Sequence, residues 1–155
     1  MPTAEIKEVI PASAEAVFAL VHDYERRLEW DTLLCEAYLE PEFSEAGRGA
    51  ISFCRGKLRL GGFGLRTEYV SFEKGNLAAV KMLNHPPFFD TFAASIRHFE
   101  IDENNSEIIY KVNFTAKPRW LRPFLYPIMR AVLVWETRKR LKALKVFFQT
   151  QSGLP

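Results

Sequence analysis

Cysteine is scarce in this chain. Cys35 and Cys54 are its only two, too few for a disulfide framework and not spaced as metal ligands. A reducing compartment, the cytoplasm, is therefore the expected location. The first residues lack the basic stretch and apolar run of a signal peptide. No run of about 18 uncharged apolar residues is present, so no membrane span is expected; Arg130 interrupts the greasiest segment. Catalytic signatures are missing too: no HExxH, no CxxC, no Ser/His/Asp order and no paired-carboxylate spacing. Gly61, Gly62 and Gly64 lack nucleotide-loop spacing and precede no helix, so they read as a turn or bulge. Neither a metal nor a cofactor is expected. Basic residues do not interleave with aromatics along strands as RNA binders require, so no nucleic-acid partner is expected.

What is present fits one domain spanning residues 1–155, long enough for a full core. Hydrophobic residues make up 48% and charged residues 26%, ordinary for a soluble globular protein. Aromatics are frequent, at 14% with 13 Phe, which fits a large core or a pocket for a flat apolar ligand. The net charge of +2 is unevenly spread. From Lys117 onward nine basic residues face one acidic residue, giving +8, which leaves −6 for residues 1–116. Such asymmetry suits an anionic partner or simply a solvated helix face. The solvated face is preferred, because the acidic part opposes broad anion binding.

Residues Pro118 to Thr150 read as one long helix around which the rest is organised. Its first half is apolar on nearly every side: Trp120, Leu121, Phe124, Leu125, Ile128, Met129, Val132, Leu133, Val134 and Trp135. Its second half narrows to Leu141, Leu144 and Phe148 among Arg138, Lys139, Arg140, Lys142 and Lys145. A helix this apolar is expected to be buried by a large partner, and the strand-rich middle of the chain is the candidate.

That middle reads in order. Thr3 to Ile10 is an edge strand ended by Pro11. Ser13 is an N-cap for a short helix through Val17, Phe18, Leu20 and Val21 to about Asp23. A second short helix runs from Tyr24 to Trp30, with Leu28 and Trp30 turned inward and Asp31 capping the following turn. Strands are expected at Leu33–Glu40, Ala50–Leu60, Phe63–Phe72, Leu77–Leu83, Asp90–Ile101 and Glu107–Lys117, with a hairpin turn at Glu73–Asn76. Strands in unbroken sequence with helices at the ends predict an α+β fold with an antiparallel sheet.

This order is the helix-grip fold. The opening Val9-Ile10-Pro11-Ala12-Ser13-Ala14-Glu15-Ala16-Val17-Phe18-Ala19-Leu20-Val21, the pair Trp30-Asp31 and the closing Arg138-to-Phe148 helix resemble the SRPBCC superfamily. That group includes START lipid-transfer, polyketide cyclase/dehydrase-like and coenzyme Q-binding-like proteins. The resemblance covers essentially the whole chain and implies a curved antiparallel sheet of about seven strands around one long C-terminal helix, with two short helices after the first strand. It also implies a deep apolar cavity, making the chain a single SRPBCC/START-like ligand-binding domain. Fold alone does not assign function.

Strand periodicity predicts which side chains enter that cavity. Ile108, Tyr110, Val112, Phe114 and Ala116 share one face of the last strand. Phe92, Ala94, Ile96 and His98 share one face of the strand before it. Phe63, Leu65, Thr67 and Tyr69 form a third inward row, Ala78, Val80 and Met82 a fourth, and Ile51 and Phe53 a fifth. The expected ligand-binding set is Phe53, Leu65, Thr67, Tyr69, Val80, Phe92, Ala94, Ile96, His98, Tyr110, Val112 and Phe114, with Leu125, Ile128 and Val132 from the helix. Arg66, Glu68 and Arg97 face outward unless a bulge at Gly61–Gly64 flips the register.

His98 is the candidate acid or base; near a strand end, the ordinary reading is a half-exposed residue bonded to backbone or water. Tyr69 and Tyr110 are placed to orient a ligand. The loop His85-Pro86-Pro87-Phe88-Phe89 and the segment Trp120–Pro127 are the expected lid. Aromatics there, beside Arg119, Arg122 and Arg130, suggest a transient membrane-surface contact. The leading expectation is a binding or transport protein for an apolar small molecule such as a lipid, isoprenoid quinone or polyketide-like compound. An enzyme of the cyclase or dehydratase type, in which His98, Tyr69 or Tyr110 moves protons, ranks behind it, because that chemistry needs at least two ionisable groups converging inside. A third reading is a protein-interaction module acting through Arg138, Arg140 and Lys142.

Overall fold

Pro11 stops the first strand and Ser13 starts the first helix, as their chemistry dictates. In the computed structural model, which describes residues 2–57 and 62–151, β1 (Thr3–Ile10) gives way to α1 (Ala14–Val21). The Ser13 hydroxyl accepts from the Ala16 N–H at 3.2 Å, and the Glu100 carboxylate accepts from the Ala14 N–H. Caps of this kind contribute about 1 kcal/mol each. Val17, Phe18, Leu20 and Val21 bury the inner face of α1. Each such side chain stabilises the fold by about 1.5–3 kcal/mol when fully buried.

A single turn, α2 (Arg27–Trp30), follows. It is shorter than the helix expected from Tyr24, and it exposes Leu28 to solvent. The inward position beside Trp30 is taken instead by Arg27. Six strands complete the sheet: β2 (Leu34–Leu39), β3 (Ile51–Gly56), β4 (Gly64–Glu73), β5 (Leu77–Met82), β6 (Phe89–Asp102) and β7 (Asn105–Ala116). Their order is β1-β7-β6-β5-β4-β3-β2, all pairs antiparallel. A 3-10 turn at Arg119–Leu121 leads into α3 (Arg122–Gln151), 30 residues long. The helix-grip architecture expected from the sequence is therefore present.

Registers settle two expectations. Arg66, Glu68 and Arg97 do lie on the outer face: Arg66 pairs with Glu40, Glu68 with Lys81, and Arg97 covers Phe99. The register shift falls later, between Tyr69 and Ser71, and it brings Phe72 beside Tyr69 on the inner face, with ring centroids 5.5 Å apart. Part of the Gly61–Gly64 turn and the end of the expected Ala50–Leu60 strand, residues 58–61, lie outside the described residues.

The expected fifth inward row, Ile51 and Phe53, has the opposite parity in the structure. Ser52↔Thr67 and Cys54↔Leu65 are cross-strand pairs, so Ser52 and Cys54 face inward. Ile51 and Phe53 face outward. The Phe53 ring stacks on Tyr38 at 5.4 Å and lies where a Cβ on Gly64 would sit, 2.4 Å away. That ring fills the space a glycine leaves in a strand.

The main correction concerns α3. It lies along β1 and β7, but its first half is not enclosed. Trp120, in the 3-10 turn before it, and Phe124, Ile128 and Trp135 on the helix are 76%, 71%, 62% and 66% exposed. Just beyond Trp135, the buried positions include Glu136, Thr137 and Arg140. Around Trp135 to Arg140 the usual amphipathic arrangement is therefore reversed, with polar side chains inward and Trp135 in solvent.

Candidate ligand-binding cavity

The reversal on α3 faces a cavity of about 330 Å³ between helix and sheet. Its walls come from β3 to β7, the segment after α1, the 86–89 loop and α3. Most of the lining is apolar: Phe63, Leu65, Val80, Pro86, Phe89, Phe92, Ala94, Ile96, Val112, Met129 and Leu133. Lining residues that are also exposed mark the mouth, and these are Phe63, Pro87, Phe88 and Val132. Phe88 has φ of +69°, a strained backbone for a bulky residue. Its carbonyl accepts from the Lys117 N–H at 3.0 Å, tying the mouth loop to the end of β7.

The other end of the cavity is polar, in two layers. The first is neutral. Tyr69 Oη lies 2.7 Å from His22 Nδ1 and 2.8 Å from Tyr24 Oη, and Ser52 Oγ lies 2.9 Å from Thr67 Oγ1. Burial holds the Tyr69 hydroxyl well above its ordinary pKa. Burial also raises Tyr24, outweighing its hydrogen bonds to Ser52 and Tyr69. His22 is pushed well below its ordinary value by burial first, then by Arg27 and His98. All three are neutral at pH 7. His22 Nε2 is buried without a partner. An unpaired lone pair there is cheaper than an unpaired N–H, so the tautomer with Nδ1–H donating to Tyr69 is favoured.

The second layer is charged. Asp31, 3% exposed, accepts from Arg27 Nε at 2.9 Å and from Arg140 Nε and Nη2 at 3.0 and 2.8 Å. Arg27 also donates to the Val21 carbonyl at 3.1 Å. Its guanidinium lies over the rings of Tyr24 and Trp30, and that of Arg140 over Tyr110. Burial alone would raise the Asp31 carboxyl, but Arg140 and Arg27 outweigh it and hold it below its ordinary range. Both arginines and Glu136 line the cavity, and Glu136 pairs with Lys139 at 3.4 Å.

Of the expected ligand-binding residues, Leu65, Thr67, Tyr69, Val80, Phe92, Ala94, Ile96, Tyr110, Val112 and Val132 line this cavity. Phe53, His98, Phe114, Leu125 and Ile128 do not. Phe53 is on the outer face. Phe114 is fully buried, its ring against Phe89 and Tyr126. Ile128 points to solvent, and Leu125 is half-buried off the wall. His98 is neither half-exposed nor in the cavity. It is 3% exposed beneath α1, 5.3 Å from the Phe18 ring, with neither ring nitrogen hydrogen-bonded, and burial lowers its pKa to about 4.

Sequence reasoning missed Arg27, Arg140, Glu136, Tyr24 and His22. Asp31 does cap its turn, accepting from the Leu33 N–H at 3.1 Å, but it also holds the two arginines. Arg27 and Asp31 are spaced i, i+4, and Arg140 follows Leu133 by seven residues and precedes Leu144 by four. Those spacings were the available signals. Arg140 is also separated from Arg138 and Lys142, which are exposed, so the basic triplet does not form one surface.

Known proteins with this architecture fit the geometry. The fold is similar to the Zhui aromatase/cyclase from Streptomyces sp. R1128, with a TM-score of 0.83 and 12% identity over 97% of this chain and 95% of that one. It is also similar to a START superfamily protein from Mycobacterium smegmatis, with a TM-score of 0.77 and 12% identity over 96% and 98%. A Thermus thermophilus protein matches with a TM-score of 0.80 and 14% identity over 97% and 99%. At these identities the likeness establishes the fold alone. No curated protein sequence matches the chain. The model of one family matches residues 1–147, nearly the whole chain, and the chain belongs to that family, polyketide cyclase / dehydrase and lipid transport.

Proposed function

We propose that this protein binds and carries a small molecule with an apolar body, held in the cavity beneath α3. The observation that carries this reading is the cavity itself, with an apolar mouth and wall and a hydrogen-bonding end formed by Tyr24, Tyr69, Ser52 and Thr67. Ligand sites are typically built this way, and 330 Å³ is at the small end of their range. It suits a compact fused-ring or short-chain body better than a long isoprenoid chain taken in whole.

A cyclase or dehydratase reading draws on the family description and on the chain of His22, Tyr69 and Tyr24. The same groups argue for binding instead. A histidine held far below neutrality is a weak base, and tyrosines with raised pKa values are weak acids. Both remain good hydrogen-bonding partners for a ligand carbonyl or hydroxyl.

Ligand exchange takes place at an anionic membrane surface. Trp120 in the 3-10 turn and Phe124, Ile128, Val132 and Trp135 on α3 are exposed apolar side chains, with Arg119, Arg130 and Arg138 exposed near them in the chain. Apolar faces with tryptophans and a basic rim suit a bilayer interface. Val132 belongs to both this exposed set and the cavity mouth. Among the described residues no helix is long and apolar enough to cross a membrane.

The test is binding of the fluorescent apolar probe N-phenyl-1-naphthylamine to the wild-type chain and to Ala94→Phe. Ala94 is buried on the cavity wall, and a phenyl group there fills the space. One saturable site in the wild type, lost in a folded Ala94→Phe, is expected. Equal binding by both would place the probe elsewhere and remove the cavity reading.

A further inference from the structure

We infer that the cavity selects an amphiphile bearing a carboxylate, bound edge-on by Arg27 and Arg140 at the closed end. The inference rests on the cavity reading above and specifies the class of molecule that occupies it.

The first argument is a count of donors. A guanidinium carries five N–H groups and cannot lose its charge in a protein. Arg27 spends Nε on Asp31 and Nη1 on the Val21 carbonyl. Arg140 spends Nε and Nη2 on Asp31. Among the described residues, no acceptor is present on Arg27 Nη2 or on Arg140 Nη1. Both side chains line the cavity and are only 6% and 7% exposed as residues.

The second argument is charge. Around Asp31 two arginines stand against one carboxylate, one positive charge in excess, while Glu136, the other lining carboxylate, is paired with Lys139 outside the lining. Tyr24, Tyr69, Cys54 and His22, which also stand around this end, are neutral at pH 7. Glu136 also faces the cavity, paired with Lys139 and one helical turn before Arg140. It disfavours an anion near itself and so directs it to the arginine end. A cation removed from water is costly until it meets a counter-charge, and a ligand carboxylate supplies one.

The third argument is shape. Aromatic rings neighbour both guanidiniums, with Arg27 Cζ 5.6 and 5.2 Å from the Tyr24 and Trp30 centroids and Arg140 Cζ 5.4 Å from that of Tyr110, and guanidinium N–H groups point outward in the plane. Bonding is therefore at the edges. An edge-on fork matches a planar carboxylate, which accepts two parallel hydrogen bonds from one guanidinium. The apolar lining beyond it takes the rest of the molecule.

Calorimetry on the full chain at pH 7 tests this with two probes of nearly equal shape, 1-naphthoate and the neutral 1-naphthamide. Naphthoate is expected to bind at least tenfold more tightly. Arg140→Gln is expected to reduce the preference below threefold, since Arg27 and Asp31 then neutralise each other. If that variant does not fold, Arg140→Lys, which keeps the charge on Asp31 but not the fork, is expected to reduce it as well. Equal or tighter binding of naphthamide to the wild type would overturn the inference and leave the cavity reading standing. A preference unchanged in a folded Arg140 variant would overturn it too. Failure of both probes and of N-phenyl-1-naphthylamine to bind would remove the cavity reading itself.

Discussion

Replacing Asp31 by Asn strands two buried guanidiniums with one substitution. The shape is kept and an amide oxygen still faces the arginines, but the counter-charge is gone. Removing one partner of a buried ion pair costs about 3–5 kcal/mol. Asp31 serves both Arg27 and Arg140, which argues for the upper end; the cavity that both arginines line, open at its mouth, argues for the lower. Against a total stability of about 5–15 kcal/mol, such a loss is large. At about 2–4 °C per kcal/mol for a chain of this size, Tm should fall by roughly 6–20 °C. The loss also has a pH signature. The Asp31 carboxyl is held below its ordinary value of 3.8 in the folded state. Its contribution is therefore complete above that value and disappears as pH falls through the folded pKa. The gap between wild type and Asp31→Asn should be full at pH 7 and should shrink below about pH 4. Urea denaturation followed by circular dichroism measures both. In an Arg140→Met background the same substitution should cost less, because one cation fewer is stranded. A loss below about 1 kcal/mol at pH 7, or a gap that does not narrow in acid, would refute the account of the charged end.

His98 gives a second pH effect from a separate place. Its pKa of about 4 lies below the ordinary 6.5, so the unfolded chain takes up the proton first. Stability present above pH 6.5 is lost as pH falls toward 4, by about 3 kcal/mol in full. His98→Phe abolishes this and removes two unpaired ring nitrogens; it should be more stable than wild type at pH 7 by about 1 kcal/mol, with the difference widening at pH 5. On the exposed side of α3 and the 3-10 turn before it, Trp120→Ser with Trp135→Ser should reduce co-sedimentation with vesicles of anionic phospholipid at least fivefold while leaving N-phenyl-1-naphthylamine binding unchanged. Equal sedimentation of variant and wild type would remove the membrane contact.

The fold was legible because each local signal agreed with the next. Pro11 and Ser13 marked a strand end and a helix start, and alternation along β6 and β7 placed Phe92, Ala94, Ile96, Tyr110 and Val112 on the cavity side. Parity failed where it had least to count. On β3 both alternating sets, Ile51 with Phe53 and Ser52 with Cys54, are plausible interiors, and only the pairing of Ser52 with Thr67 decides between them. The polar end was illegible for a stronger reason. Hydrophobic patterning assigns apolar residues inward, whereas α3 turns Glu136, Thr137 and Arg140 toward the sheet and Ile128 and Trp135 toward solvent. Asp31, Arg27 and Arg140 make sense only together, and 109 residues separate Asp31 from Arg140. Sites commonly break the local rules that the rest of a fold obeys, and here the break lies at the cavity.

Native mass spectrometry of the protein purified from its own host tests the central claim most directly, with Ala94→Phe prepared in parallel. The account expects a wild-type fraction carrying one small molecule of defined mass, released on denaturation and absent from the variant. The same adduct on a folded Ala94→Phe would contradict it, because the molecule would then be bound outside the cavity.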